Sequence, residues 1–514
     1  MFCNSSAGCA GFFRSIGGSL VLISTSRYGA GISPDSISYI SAARSLVHGG
    51  GFTITGGTPV VAWPPLYPAL LALFGWVFNL DPMKTANVLN AFLYGFIIYA
   101  GGVLSLRYLS STPVLAILGV VLILASIPLF NTAVMVWSEP LFILLVLLSI
   151  ISSQYYLRKR DTISLLALAI LVSLACLTRY IGLMLVLWGI ALISFHAGAN
   201  KRKKLVHALS FSLVTIAPLA AWLSRNYALS GTLFGLRAPV VNTLDKNLSF
   251  VFNRFLVWYI PDKIADHRAW LILIGLCAGL LAGVSLINGV SKKKLRHLLL
   301  DPMLSFTLIY LTVLVVLATV TATDGIGDRL LSPMYVPLTL LLLTSCYTIM
   351  KRITERRRGS YWHFYGNVLF TAFILIWLLY PLDHNVLVEA KQVSNGVGYS
   401  SQLWRNSELM GYLIKNQEAV QQYAVYSNHP DAIDILAGLA SEMSPIKTRF
   451  NSPEMVNVAT NLVGTWPPED NARLIWFDRH EHAFLYSLEE IKQIADLELI
   501  TAFTDGVIYK VERK

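Results

Sequence analysis

The sequence predicts an α-helical polytopic membrane protein of about eleven transmembrane helices with a small α/β domain at its C-terminal end. Three observations carry this expectation. Of the 514 residues, 55% are hydrophobic and only 13% charged, about half the charged share of a soluble globular chain. Apolar runs of the length needed to cross a bilayer recur up to residue 382, and only helices and closed barrels satisfy every backbone group in lipid. Beyond residue 382 polar residues return and the apolar runs shorten. A mean hydropathy of +0.59 excludes a disordered chain. The net charge of +11 does not mark a nucleic-acid partner, because the Lys and Arg residues gather at the ends of apolar runs rather than on one soluble face.

The predicted spans cover residues 12–28, 86–106, 113–133, 140–157, 162–177, 180–195, 205–222, 269–287, 303–322, 333–349 and 364–382. The first is short and carries Arg14 and a glycine pair. It reads as an incomplete span rather than a signal peptide, since no small-residue cleavage site follows. Basic clusters at Arg107, Arg158-Lys159-Arg160, Lys201-Arg202-Lys203-Lys204, Lys292-Lys293-Lys294 and Arg356-Arg357-Arg358 fall at alternate connections. By the positive-inside rule these connections are cytoplasmic and the others extracytoplasmic. The chain then divides into a transmembrane core, 1–382, whose first outer loop spans about 33–85, and a soluble extracytoplasmic α/β domain, 383–514. In that domain residues 423–426, 474–477 and 507–511 read as strands, and 431–440 and 488–497 as amphipathic helices. The five cysteines show neither a disulfide framework nor metal-ligand spacing.

Function is expected on the outward loops. Ser33-Pro34-Asp35 opens an amphipathic stretch over residues 36–47, with Tyr39 on its apolar side, that lies along the membrane surface. Ser33 suits an N-cap and Pro34 the first helical position, so Asp35 falls in the first turn, where the helix dipole favours negative charge. Such a position is also ordinary helix chemistry. Glu139, in Trp137-Ser138-Glu139-Pro140, and Arg179, in Leu177-Thr178-Arg179-Tyr180, stand at the outer ends of spans. A charge at membrane depth is either part of a site or snorkels to the interface, and the same choice holds for Arg225-Asn226. The turn Asp324-Gly325-Ile326-Gly327-Asp328-Arg329 places two carboxylates and an arginine between two spans. An arginine suits a phosphate through its planar fork, although an internal Asp–Arg pair shaping the turn explains the same residues. His480-Glu481-His482 lacks a third metal ligand, and no protease or esterase motif occurs.

The order Asp35, Trp63-Pro64-Pro65-Leu66-Tyr67-Pro68, Trp137-Ser138-Glu139-Pro140-Leu141, Leu177-Thr178-Arg179-Tyr180, Arg225-Asn226-Tyr227 and Asp328-Arg329-Leu330-Leu331-Ser332-Pro333 resembles the polytopic C-superfamily (GT-C) glycosyltransferases, in the branch of the protein O-mannosyltransferases and aminoarabinose transferases. The resemblance covers about residues 34–382. The tail, with Ala424-Val425-Tyr426-Ser427-Asn428 and Asp505-Gly506-Val507-Ile508-Tyr509, is similar to the extracytoplasmic domains that follow this core in many prokaryotic members. The resemblance implies a plasma-membrane enzyme that moves a hexosyl or pentosyl group, with inversion, from a polyprenyl-phosphate carrier to a glycan, lipid or protein acceptor. It implies Asp35 as the base. Tyr39, Glu139, Arg179, Arg225, Asn226, Asp324, Asp328 and Arg329 would bind substrate. No cofactor is called for, and a divalent metal is left open. The rival reading is a secondary transporter or lipid-linked sugar flippase, which would place broken helices and polar groups at the bilayer midplane. A receptor whose tail binds a partner is a third.

Overall fold

The computed structural model describes residues 6–195, 200–235, 242–260, 300–321, 325–356, 360–448, 455–479 and 482–514. Its membrane part is built from helices α1 (Ser6–Ser24), α2 (Pro34–Val47), α3 (Leu66–Phe78), α4 (Pro82–Tyr108), α5 (Pro113–Leu124), α6 (Ile127–Ala133), α7 (Glu139–Lys159), α8 (Thr162–Thr178), α9 (Leu183–Phe195), α10 (Lys201–Ser230), α11 (Leu244–Tyr259), α12 (Pro302–Val320), α13 (Asp328–Leu331), α14 (Tyr335–Arg356) and α15 (Ser360–Asn395). Every predicted span coincides with a helix except residues 269–287, which lie outside the described residues.

The chain is a multi-pass membrane protein. Among the described residues six helices are long and apolar enough to cross a bilayer, and α5 with α6, bent by 44°, makes up to seven if the pair is one broken span rather than a re-entrant loop. Shorter apolar helical stretches are Gly11–Ser24, Leu66–Phe78, Thr162–Thr178 and Tyr180–Phe195. α8 stops at Thr178 because Arg179 turns extended, at φ −148° and ψ 136°, and α9 begins after a single 3₁₀ turn. α4 is the axis of the bundle, packing on α1, α5 and α7 through buried Leu89, Tyr94, Ile97 and Leu104. The predicted surface helix is α2, whose residues Ile37, Tyr39, Ile40 and Ala43 are buried, with the helix packed on α3, while Val47 is exposed.

The helix expected to end near Leu382 runs on to Asn395 through an internal Pro381, because the polar stretch that leaves the lipid still contains good helix formers. The tail then folds around strands β1 (Ala424–Ser427), β2 (Glu442–Met443), β3 (Ala472–Phe477), β4 (Ala495–Phe503) and β5 (Gly506–Arg513) in the order β2-β1-β3-β5-β4. β1 is parallel to β2 and β3, whereas β5 is antiparallel to β3 and β4. Helices α16 (Glu408–Lys415), α17 (Pro430–Ala437) and α18 (Leu488–Ile494) flank this sheet. The helix expected over residues 488–497 stops at Ile494, and β4 takes the following residues. Residues 495–500 mix Leu and Ile with Asp and Glu, a composition that favours a helix in isolation, and pairing with β5 overrides it.

Tail and membrane domain are joined by backbone. Gly31 and Met135 form a parallel bridge, as do Ile32 and Gly398, with Tyr399 N–H donating to Ile32 O at 2.9 Å. Ser400 Oγ donates to Ala30 O (2.7 Å) and Arg405 Nη2 to Tyr28 O (2.8 Å). Gly398 has φ +59°, and a Cβ there would sit 2.0 Å from Ile32 O, so no other residue fits without opening the bridge. Gly398→Ala is expected to lower the melting temperature and to expose residues 395–402 to protease. An unchanged cleavage pattern would show that the bridge is dispensable.

Candidate active site

The segment that docks the tail also sets the site. Gly31 pairs with Met135, so the segments leading to Asp35 and to Glu139 run side by side, and the first turns of α2 and α7 emerge together. Ser33 is the N-cap of α2, at φ −123° and ψ 174°, with Asp35 in the first turn. The cap is closed by Ser36 Oγ, which accepts from Ser33 N–H at 3.0 Å. The Ser33 hydroxyl instead accepts from Trp137 Nε1 at 2.8 Å, a second tie between the two segments.

Four charged side chains from four helix ends meet there. Arg329, from α13, places Nη2 2.5 Å from Asp35 Oδ2, while its Nε donates to Glu139 Oε1. Arg179, just past α8, donates through Nη1 to the same Glu139 oxygen and to Ser138 Oγ at 3.1 Å. The Arg329 guanidinium stacks over the Trp137 ring at 4.6 Å. Tyr39 OH lies 3.1 Å from Ser138 Oγ, and burial, followed by the charge of Glu139, pushes its phenol pKa up. Tyr310 OH donates to Leu330 O at 2.7 Å and steadies α13.

Exposure differs sharply within the cluster. The Glu139 side chain is 1% exposed and Arg179 19%, against 29% for Asp35 and 28% for Arg329. Glu139 is therefore the buried anchor and the Asp35–Arg329 pair the open end. Removing a carboxylate from water costs several kcal/mol, and two guanidinium partners offset that cost here. Among the described residues Glu139 Oε2 has no hydrogen-bond partner. Snorkelling does not describe Glu139, since it is turned inward and paired.

The other expected site residues stand apart from this cluster. Arg225 donates to Val60 O (2.7 Å) and Phe52 O (3.1 Å) and stacks on Trp222 at 4.4 Å. Asn226, fully buried, bonds Val61 O, Leu233 O and Tyr180 OH. Both hold the first loop, and Tyr180 links them to the turn that carries Arg179. Asp328 accepts from Trp258 Nε1 at 2.8 Å and lies 3.8 Å from Arg254, both on α11, so it braces α13 against α11. Asp324 lies outside the described residues, as do His480 and Glu481. The bracing helix α11 was missed in the sequence, although buried Asn247, Val251 and Trp258 have helical spacing that could have revealed it.

Among the described residues no group of three His, Cys, Asp or Glu side chains could hold a metal ion. Asp35 and Glu139 are each neutralised by arginine, so this donor set does not fit a divalent cation. The arrangement suits an anion that takes over one arginine, with a carboxylate beside it released to accept a proton.

No protein-family model matches the chain, and no curated protein matches it. Solved structures do. ArnT from Cupriavidus metallidurans bound to undecaprenyl phosphate superposes with a TM-score of 0.58 at 11% identity, covering 98% of both chains. Its apo form gives 0.57 at 12% identity and 97% of both chains. An oligosaccharyltransferase from Archaeoglobus fulgidus, in complex with Zn and sulfate, gives 0.52 at 10% identity, covering 90% of this chain and 68% of that one. The chain thus shares the fold of these structures.

Proposed function

We propose that this chain transfers a sugar from a polyprenyl-phosphate carrier to a hydroxyl- or amine-bearing acceptor on the extracytoplasmic side of the plasma membrane, with inversion at the anomeric carbon. The observation that carries the reading is the Asp35–Arg329–Glu139–Arg179 cluster: two arginines clamped by one buried carboxylate, with a second carboxylate at the open end. Support comes from the fold shared with ArnT, which was solved with undecaprenyl phosphate.

In this mechanism the donor phosphate displaces Asp35 from Arg329 and is held there, with Arg179 adding charge from behind Glu139. The freed Asp35 carboxylate orients the acceptor group and takes its proton as the new bond to the anomeric carbon forms. The bond from that carbon to the phosphate oxygen breaks, and polyprenyl phosphate leaves as an anion, so no general acid is needed. One essential carboxylate suffices, in contrast to the carboxylate pair of glycosidases. The alkyl chain of the carrier would lie along the apolar faces of the spans, and the tail domain would sit outside the membrane with the site.

The reading is tested with the full chain in lipid nanodiscs. Undecaprenyl phosphate is expected to bind and raise the melting temperature. Arg329→Ala should weaken that binding about ten- to a hundredfold, the worth of hydrogen bonds to a charged group. Failure of undecaprenyl phosphate or its glycosylated forms to bind would sink the transferase and favour a transporter. An unaltered affinity in Arg329→Ala would reduce that arginine to a brace.

A further inference from the structure

An uncharged side chain braces both ends of the Asp35–Arg329 pair. Trp137 lies in the lead-in to α7, two residues before Glu139. The backbone around it is tied to the lead-in of α2: Gly31 N–H donates to Val134 O at 2.8 Å and Val136 N–H to Gly31 O at 2.9 Å. From that root the half-buried indole makes two contacts. Its Nε1 donates to Ser33 Oγ at 2.8 Å, at the N-cap of α2 and two residues before Asp35. Its ring carries the Arg329 guanidinium, whose central carbon lies 4.6 Å from the ring centroid.

These contacts differ in kind from the ion pair they flank. Asp35 Oδ2 lies 2.5 Å from Arg329 Nη2 and so uses a donor that a phosphate would also need. An aromatic ring takes the face of a guanidinium and leaves its N–H groups, which point outward in the plane, to an anion. In the mechanism above the phosphate takes Arg329 from Asp35, so the ion pair cannot be what keeps arginine and base in register during the reaction. The indole contacts survive that exchange, because neither involves the carboxylate. Glu139 also keeps its hold on Arg329 through Nε, while the tie to the turn that carries Asp35 runs through the indole N–H. Misplacing a reacting group by about 1 Å costs about a hundredfold in rate, so a brace common to the phosphate site and the base has a kinetic consequence.

We propose that Trp137 is a positioning residue for both halves of the transfer. Its ring face holds Arg329 ready for the donor phosphate, and its indole N–H, through Ser33, holds the first turn of α2 so that Asp35 keeps its place once the ion pair opens. This rests on the transferase reading. The two roles belong to different parts of one side chain and can be removed separately.

The test uses the full chain in nanodiscs, with undecaprenyl phosphate carrying mannose, glucose or 4-amino-4-deoxyarabinose as donor and water in the acceptor's place. Trp137→Phe keeps a ring and lacks the N–H. Its kcat for sugar release is expected to fall about tenfold, while its binding of undecaprenyl phosphate weakens less than about threefold. Ser33→Ala removes the acceptor of the same bond and should lose kcat to the same extent, and Ser33→Thr should recover most of that loss. The double variant, Ser33→Ala with Trp137→Phe, should be no slower than either alone. Trp137→Leu removes the ring as well, and its binding of undecaprenyl phosphate should weaken about tenfold. A tryptophan that only fills space would lower the melting temperature in these variants without dividing kcat from Kd. An unchanged kcat in Trp137→Phe, additive losses in the double variant, or an unchanged Kd in Trp137→Leu overturns the inference. A parent that releases sugar from none of the three donors overturns the transferase reading itself, and the inference with it.

Discussion

Asp35→Asn is expected to stop sugar transfer and, at the same time, to bind undecaprenyl phosphate more tightly than the parent. The first effect follows from removing the proton acceptor, a loss of about a hundred- to ten-thousandfold in turnover. The second follows from the ion pair itself. Asp35 Oδ2 lies 2.5 Å from Arg329 Nη2, so a phosphate must displace an internal carboxylate before it gains that arginine. Both partners are more than a quarter exposed, which limits the pair to about 1 kcal/mol, and the expected tightening is about fivefold. Asparagine keeps the shape and drops the charge, whereas Asp35→Glu keeps the competitor and should show no such gain. Titration of undecaprenyl phosphate against the three proteins, alongside a sugar-release assay, reads both effects. Weaker binding in Asp35→Asn would mean that Asp35 helps to hold the phosphate, through a hydroxyl of the sugar or a shared proton, rather than guarding the arginine.

How much of this site could be read in the sequence depends on what fixed each residue. Asp35, Glu139, Arg179 and Arg329 stand at helix ends where charge is costly in lipid, and that cost is a local property visible without coordinates. Their mutual pairing is not local, since it rests on the Gly31–Met135 bridge, and nothing in the sequence around Asp35 announces that its lead-in will lie beside that of Glu139. Arg225 and Asn226 show the limit of the same logic. They carry the same signal, yet their partners are backbone carbonyls of the glycine-rich first loop, whose irregular path leaves acceptors for side chains to satisfy. The strands β1, β3 and β5 carry compact apolar runs and were legible, whereas β2 has two residues and β4 is an edge strand with Leu499 and Ile500 exposed.

Glu139→Gln is expected to be the most destabilising single change in the site, and the one that a phosphate ligand best repairs. Glu139 Oε1 serves both Arg179 and Arg329 from a side chain that is 1% exposed. Glutamine preserves the volume but leaves two guanidinium groups close together with a neutral amide between them, and Asp35 alone remains to balance them. Breaking a buried ion pair from one side costs about 3–5 kcal/mol, because the charge left behind can neither pair nor reach water. The loss should appear as a marked drop in melting temperature at low ligand concentration. Undecaprenyl phosphate brings a replacement negative charge to the same two arginines, and a ligand that binds only the folded state stabilises it in proportion to the logarithm of its concentration over Kd. The variant should therefore gain more from the lipid than the parent does, while the uncharged prenol, which lacks the phosphate, should restore nothing. If the parent and Glu139→Gln gained equally from undecaprenyl phosphate, the two arginines would not be its binding groups, and Glu139 would be a structural clamp whose partners serve the bundle rather than the donor.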